Sequence, residues 1–339
     1  MFTTKILILL LGKKMWPKVT AFAVLAVLTA LLSIFISPFI PDSVTYKVGA
    51  DTVGSILTIL ASSMLAVTTF SLSTMVSAYS SASSGATPRA TQLLQQDSTT
   101  QNALATFLGS FLFSLAGIIC IKIGVYDGSG RFILFISSLG VICLIVIMLI
   151  RWIEHLTQLG RIAATTRQVE RVAAEALRAR AKSPYFGGNP LSAIPQDILK
   201  PEHALFQDRY GYVQYLNAGK LSELAGKHGL HLYLKALPGC CVGPSVPLCY
   251  ANRVIPPEAE PSLRAAFIIG DQRSFEQDPR FGICVLAEIA VRALSQAIND
   301  PGTVIDVIGR LERTLPLFAG IQETSPWRHA AEIRHRQSE

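Results

Sequence analysis

The chain has 339 residues, of which 50% are hydrophobic and only 16% are charged, and its mean hydropathy is +0.41. Its formal net charge is +7, but the basic residues cluster beside hydrophobic segments. That placement favours attraction to the anionic headgroups of a lipid bilayer, and it argues against a nucleic-acid partner.

Four segments of the first half carry almost no charge, and each approaches the roughly 20 residues that a helix needs to cross the hydrocarbon core. They are Val19–Ile40, Val53–Val76, Ala103–Gly124 and Phe132–Ile150. The sequence therefore predicts a transmembrane domain of four helices over residues 1–150. The first segment is too long for a cleaved signal peptide. Met15 is an alternative start.

Lys and Arg residues near helix ends indicate the orientation, because they are retained on the cytoplasmic side. Four lysines precede the first segment and four arginines follow the fourth, whereas the loops Pro41–Thr52 and Tyr126–Arg131 carry about one basic residue each. We therefore expect a multi-pass protein of the bacterial cytoplasmic (inner) membrane with both termini cytoplasmic. The six cysteines are expected to be reduced, and their spacing indicates neither a metal site nor a cofactor.

The second segment carries hydroxyl residues at helical spacing, which places them on one stripe of a helix. We call this set the hydroxyl stripe, and its members are Ser55, Thr58, Ser62, Thr69, Ser73 and Ser77. Such a stripe either packs closely against other helices or lines a polar pathway. No acidic or basic residue lies within Val53–Val76, so a buried proton relay has no candidate there. On the third segment, small residues four apart predict a close-packing face at Ala105, Gly109, Ser110 and Ser114.

A cytoplasmic connecting helix is predicted over residues 151–182. Apolar and small residues alternate along it at spacings of three and four, as in a coiled-coil seam. They are Leu159, Ile162, Thr166, Val169, Ala173 and Ala176. This seam pairs two copies of the chain or packs on the soluble domain of the same chain. We expect a homo-oligomer.

Residues 183–201 are rich in Pro, Gly and Asn and predict a linker. Residues 202–256 predict a small β unit, with strands at Tyr210–Leu216, His231–Leu237 and Val246–Tyr250 and one helix at Lys220–His228. A helical subdomain at 257–318 and a polar tail at 319–339 follow. The predicted fold class is thus membrane α-helical, with four transmembrane helices, followed by a cytoplasmic α+β domain.

Within the helical subdomain, one face of a helix is apolar, from Val285 to Leu294. Asp300-Pro301 is a strong helix start, because Asp can cap the free amides and Pro suits the first helical position. Six polar residues are predicted to form one cluster, with Arg292 paired to Asp300. They are Arg273, Asp278, Glu288, Arg292, Asn299 and Asp300. The cluster either fixes the turn between two helices or binds an anionic ligand or a neighbouring subunit.

Several short runs resemble the bacterial predicted-membrane-protein family catalogued as domain of unknown function 2254. They are Tyr212-Val213-Gln214, Pro238-Gly239, Gly270-Asp271-Gln272-Arg273, Asp278-Pro279-Arg280-Phe281-Gly282, Ile289-Ala290-Val291-Arg292-Ala293-Leu294-Ser295, Ile298-Asn299-Asp300-Pro301 and the segment Ser81–Arg89. The resemblance extends from Trp16 to about Leu315 and implies the same architecture. The chain departs from the family pattern at Gln296, Gly302 and Cys240-Cys241.

No phosphate loop, nucleophile elbow or zinc-binding helix motif marks the cytoplasmic half, so we expect no enzyme and no catalytic residues. The leading hypothesis is an oligomeric channel or transporter for an ion or small solute, which the cytoplasmic domain gates or assembles. The alternative is a membrane-anchored sensor or scaffold, whose cytoplasmic domain binds a ligand or partner without transport.

Overall fold

The computed structural model describes residues 19–21, 24, 28, 49–95, 97–124, 126, 128–191, 193–319 and 331–333. Most of the first predicted segment and of the loop after it therefore lies outside the described residues, as does most of the predicted polar tail. The chain divides into two compact units. The first comprises Met1–Ser84 and Pro88–Thr165, and the second comprises Gly85–Thr87 and Thr166–Glu339.

The first unit is helical. Its described helices are α1 (Ala50–Gly85), α2 (Thr91–Gln95), α3 (Ser98–Ile123) and α4 (Gly128–Leu156). Within the described part of the chain, three stretches are long and apolar enough to cross a membrane, over Asp51–Gly85, Thr91–Ile123 and Gly130–Leu156. They contain the second and fourth predicted segments, and all of the third except its last residue, Gly124.

Helices α3 and α4 pack along each other, and α1 contributes to the same core. The predicted close-packing face of α3 is buried at all four of its positions. Gly117 of α3 allows a further close approach, because a Cβ atom there would lie 2.9 Å from Leu57 of α1. Small side chains thus let these helices approach closely.

The helix predicted over residues 151–182 is interrupted. Helix α4 ends at Leu156, and α5 begins at Ile162. Gly160 lies between them with a φ of +79°, and a Cβ atom at this position would lie 3.1 Å from the carbonyl oxygen of Ala78. The turn therefore needs glycine both for its left-handed backbone and for its close approach to α1.

In the second unit, α5 (Ile162–Lys182) buries most of the predicted seam against its own chain. Val169 is 0% exposed and Ala173 is 1% exposed. A Cβ atom added to Gly282 would lie 2.4 Å from the Cβ of Ala173, so the two backbones approach closely here. Of the two alternatives for the seam, packing within the same chain is the one observed, and the seam is not free for a coiled coil between copies.

The second unit contains short antiparallel strands in two sheets, and these sheets extend beyond the predicted β unit of residues 202–256 into the predicted linker, helical subdomain and tail. The strands are β1 (Asn189–Pro190), β2 (Ala204–Leu205), β3 (Gly211–Leu216), β4 (Leu232–Leu234), β5 (Cys241–Val242), β6 (Cys249–Ala251), β7 (Phe267–Gly270) and β8 (Ala331–Ile333). One sheet has the order β1-β8-β4-β6-β2 and the other β5-β3-β7. Helix α6 (Ala218–His228) confirms the predicted helix, with Asn217 as its N-cap. Strand β8 lies within the predicted tail and pairs with β4 and β1.

The remaining helices are α7 (Glu260–Arg264), α8 (Pro279–Ala293), α9 (Pro301–Thr314) and α10 (Pro316–Ala319). The predicted start of α9 is confirmed, because the side chain of Asp300 accepts a hydrogen bond from the amide of Thr303 at 3.1 Å. The apolar face of α8 is buried at Val285 and Ile289, but Leu294 is 57% exposed. Leu294 follows the last helical turn, so the helical period no longer directs it inward.

Candidate functional site

The hydroxyl stripe lies on the exposed side of α1. Each of its six side chains is exposed, whereas Leu57 and Met64 on the opposite side are buried. Large apolar residues share this exposed side with the stripe, and Ile59, Phe70 and Val76 are each more than half exposed. The stripe therefore does not serve packing within the described part of the first unit.

Three hydroxyls of the stripe donate hydrogen bonds to backbone carbonyls of their own helix. Thr58 donates to the carbonyl of Gly54 at 2.7 Å, and Thr69 donates to that of Leu65 at 2.5 Å. Ser62 donates to the carbonyl of Thr58 at 3.0 Å. This back-bonding consumes the single O–H donor of each residue. What these three hydroxyls present outward is oxygen lone pairs, which accept hydrogen bonds or coordinate cations.

A polar contact missed by the sequence reasoning joins the start of α3 to the end of α4. The carboxylate of Asp97 lies 3.0 Å from Nε2 of His155. The same carboxylate caps α3 by accepting hydrogen bonds from the amide and the hydroxyl of Thr100 at 2.8 and 2.9 Å. Asp97 before Thr100 is a recognisable N-cap pattern, but nothing in the pattern points to the distant His155.

Arg273 and Asp278 meet at the start of α8. Asp278 is 1% exposed, and its Oδ2 accepts from Nε and Nη2 of Arg273 at 2.8 and 2.6 Å. Its Oδ1 accepts from the amide of Arg280 at 3.2 Å, which caps the helix. Burial lowers the pKa of Arg273, but the hydrogen bond and charge of Asp278 outweigh it and raise the pKa. This pair ties the loop after β7 to α8.

The next two predicted residues lie further along α8. Glu288 accepts a hydrogen bond from the hydroxyl of Thr87 at 3.1 Å, so the short segment Gly85–Thr87 is bound to α8 within the second unit. Arg292 is half-buried, and its Nε is buried without a hydrogen-bond partner in the described part of the chain. Glu288 thus contacts Thr87, which follows α1 in the sequence.

Asn299 and Asp300 lie beyond the other end of α8. Asn299 has a φ of +47°, a left-handed conformation that asparagine tolerates. The 15 residues of α8 span about 22 Å at 1.5 Å per residue. Because Asp278 precedes this helix and Asp300 follows it, the six residues do not form one cluster. Arg292 and Asp300 form no ion pair among the described residues, since Asp300 instead caps α9.

A second network missed by the sequence reasoning joins α5 to α9. Arg310 is 8% exposed, and its guanidinium pairs with Glu170 of α5 and with Asp306 of its own helix. Arg313 also reaches Glu170, at 3.0 Å. Two acids balance two bases here, which indicates a structural link between the helices.

The family described as predicted membrane protein (DUF2254) matches residues 12–337. The chain belongs to this family. An uncharacterized protein of Mycobacterium bovis and one of Mycobacterium tuberculosis are each 27% identical to it over 281 residues, which cover 78% of this chain and 52% of the relative. The chain thus spans about half the length of the curated relatives it matches. No solved structure matches it.

The positions at which the sequence is expected to depart from the family pattern lie at the surface. Cys241, Gln296 and Gly302 are exposed, and Cys240 is half-buried. Among the described residues, no group of three His, Cys, Asp or Glu side chains is arranged to hold a metal ion.

Proposed function

We propose that this DUF2254 protein is an oligomeric channel or transporter for an ion or small solute in the bacterial inner membrane. In this proposal four helices span the bilayer, both termini are cytoplasmic, and the basic flanks contact anionic lipid headgroups. Copies of the chain assemble so that the hydroxyl stripes of their α1 helices face one another around a polar pathway. The second unit assembles or gates this pathway, and the proposed function includes no catalytic step.

The observation that carries the proposal is the exposure of the whole hydroxyl stripe. A polar stripe that the described part of the chain leaves uncovered is poorly placed against lipid tails, where its lone pairs gain no partners. Assembly of several copies would remove the stripe from lipid and line a shared pathway with oxygen acceptors. Pore surfaces that replace the hydration shell of a cation use oxygen ligands in this way.

The test is flux through proteoliposomes that contain the purified full chain. Light scattering would follow vesicles exposed to gradients of potassium chloride or glycerol. The double variant Thr69→Val/Ser73→Ala should lower the flux while the assembly keeps its mass. The matched control is Thr68→Val/Thr74→Val, which removes two back-bonded hydroxyls from the half-buried sides of α1. A wild-type flux equal to that of empty vesicles, or equal losses in both double variants, would contradict the proposal.

The second candidate is a membrane-anchored sensor or scaffold. The positions of the ionisable residues in the described spans favour this function, because Asp97 and His155 lie at helix ends and not at mid-span. An anchor needs no charged site in the bilayer, whereas many ion carriers have one. A chain that binds a ligand through its second unit but shows no flux with either gradient would identify this function.

A further inference from the structure

Helices α8 and α9 pack against each other as a hairpin, and the hairpin exposes apolar side chains on both helices and on the turn between them. We call these residues the hairpin face, and they are Val291, Leu294, Ile298, Ile305, Ile308 and Leu315. On α9 they recur at spacings of three and seven, on the side opposite the buried Val307 and Thr314. Single exposed apolar residues are ordinary, whereas a run of them along one hairpin is typical of an interaction surface.

The turn between the helices places Arg292 beside the start of α9. The amide of Asp300, which caps α9, donates to the carbonyl of Ala293 at 2.8 Å. Arg292 is half-buried, and its Nε is buried without a hydrogen-bond partner in the described part of the chain. Its guanidinium also forms no ion pair with a described residue. A partly desolvated cation of this kind gains charge-assisted hydrogen bonds from a carboxylate that a partner supplies.

The exposed side of α9 carries a matching carboxylate at its other end. Glu312 lies between Ile308 and Leu315 on that side and is exposed. It forms no ion pair within the part of the chain that the structure describes. Helix α9 has 14 residues and spans about 21 Å at 1.5 Å per residue. Arg292 at the first turn and Glu312 in the last turn are therefore too far apart to pair within one copy.

We infer that the hairpin face binds the same face of a second copy, with Arg292 of each copy paired to Glu312 of the other. A two-fold interface needs a self-complementary surface, and this face has an unpaired cation at one end and an unpaired anion at the other. The pairing requires the two α9 helices to lie antiparallel, so Ile308, near the middle of α9, lies beside its own counterpart.

A second copy fits the hairpin face better than a bilayer does. Glu312 lies in line with the apolar residues of α9, and an anionic membrane surface repels a carboxylate. In a two-fold pair the same carboxylate meets an arginine. This interface rests on the assembly of copies in the proposed function, and it does not require transport.

Cross-linking of single cysteines in the full chain tests the interface. The chain's own cysteines are replaced, Ile308→Cys is introduced, and the protein in neutral detergent is treated with a short bismaleimide. Copies should be joined in pairs. Val254→Cys is the matched control, because Val254 is 59% exposed but lies between β6 and α7, outside the hairpin face. A yield of pairs at Ile308→Cys no greater than at Val254→Cys would overturn the interface.

Charge exchange tests the pairing in the Ile308→Cys background. Arg292→Glu and Glu312→Arg each place like charges opposite each other, and each should lower the rate of cross-linking on the order of tenfold. The double variant Arg292→Glu/Glu312→Arg restores opposite charges and should recover most of the rate. A double variant that cross-links no faster than the single variants would overturn the pairing.

Other occupants of the face and a failure of transport give different results. A fluorophore on Ile308→Cys, in nanodiscs with spin-labelled lipid, should not be quenched; quenching without cross-linked pairs would assign the face to the bilayer and overturn the inference. Flux through proteoliposomes is measured in parallel. Cross-linked pairs without flux would support this interface and contradict the transport proposal, and flux without cross-linked pairs would overturn this interface alone.

Discussion

Replacement of Gly282 by alanine should separate α8 from α5. The new Cβ atom would lie 2.4 Å from the Cβ and 2.9 Å from the Cα of Ala173, where ordinary contacts are 3.4–4 Å. The helices must move apart by about 1 Å, and such overpacking costs about 1–3 kcal/mol. Alanine recovers about 1 kcal/mol because it favours a helix more than glycine does. The net change should be a loss of up to about 2 kcal/mol.

Gly309→Ala is the matched control. It lies within α9, and the nearest atom to its added Cβ is the flexible end of Arg313, at 3.7 Å. This variant should gain up to about 1 kcal/mol. The two variants therefore differ by about 1–3 kcal/mol, or about 2–12 °C in apparent Tm for a unit of this size. The double variant Gly282→Ala/Ala173→Gly should recover part of the loss.

The assay can use Cys249, which is fully buried in the second unit. Burial raises the pKa of its thiol to about 12, so it should react with a fluorescent thiol reagent only after unfolding. The exposed thiols are blocked beforehand. If Gly282→Ala melted at the same temperature as Gly309→Ala, the close contact between α5 and α8 would be refuted.

Three further predictions concern stability and orientation. Arg310→Ala leaves two acids without their shared partner and should destabilise the second unit by about 1–3 kcal/mol. The side chain of Arg313 is 61% exposed, so Arg313→Ala should cost less than about 1 kcal/mol. Equal losses of Tm in the two variants would refute this ranking. Hydrogen bonds from Thr303 lower the pKa of Asp300 in the folded chain. The ionised carboxylate therefore stabilises the folded state above the unfolded pKa of about 3.9, and this stabilisation is lost as pH falls through the folded pKa. Asp300→Asn should keep the cap but flatten the dependence of Tm on pH below about 5, and an unchanged slope would count against this account. A cysteine at Ser129 should react with an impermeant reagent in intact cells and one at Ser325 should not, and the reverse pattern would invert the proposed orientation.

Local signals in the sequence predicted local structure well. Asp300-Pro301 predicted the start of α9, and the pattern around Lys220–His228 predicted α6, because caps and helical periods depend on neighbouring residues. The seam of α5 was visible as a pattern, but its partner was not. Whether Val169 and Ala173 face another copy or the same chain depends on tertiary packing, which periodicity does not encode.

Polar pairs were predicted less well, since they depend on the path of the chain. Arg292 and Asp300 are eight residues apart, yet the turn directs Asp300 onto the amides of α9 instead. Asp97 and His155 are far apart in sequence and meet only because α3 and α4 pack side by side. Strand β8 was missed because three residues within a polar segment carry little periodic signal, and their pairing comes from β4 and β1.

Water access along α1 tests the central claim most directly. Single cysteines would replace Ser62, Thr69 and Ser73 on the hydroxyl stripe and Phe70 and Leu72 on its exposed flanks, in a chain whose own cysteines are replaced. A charged, membrane-impermeant methanethiosulfonate reagent reacts with thiolates, which form in water and not in lipid. The account predicts rapid modification at the three stripe positions and slow modification at the two flanking positions. Equally slow modification at all five would contradict a polar pathway along α1.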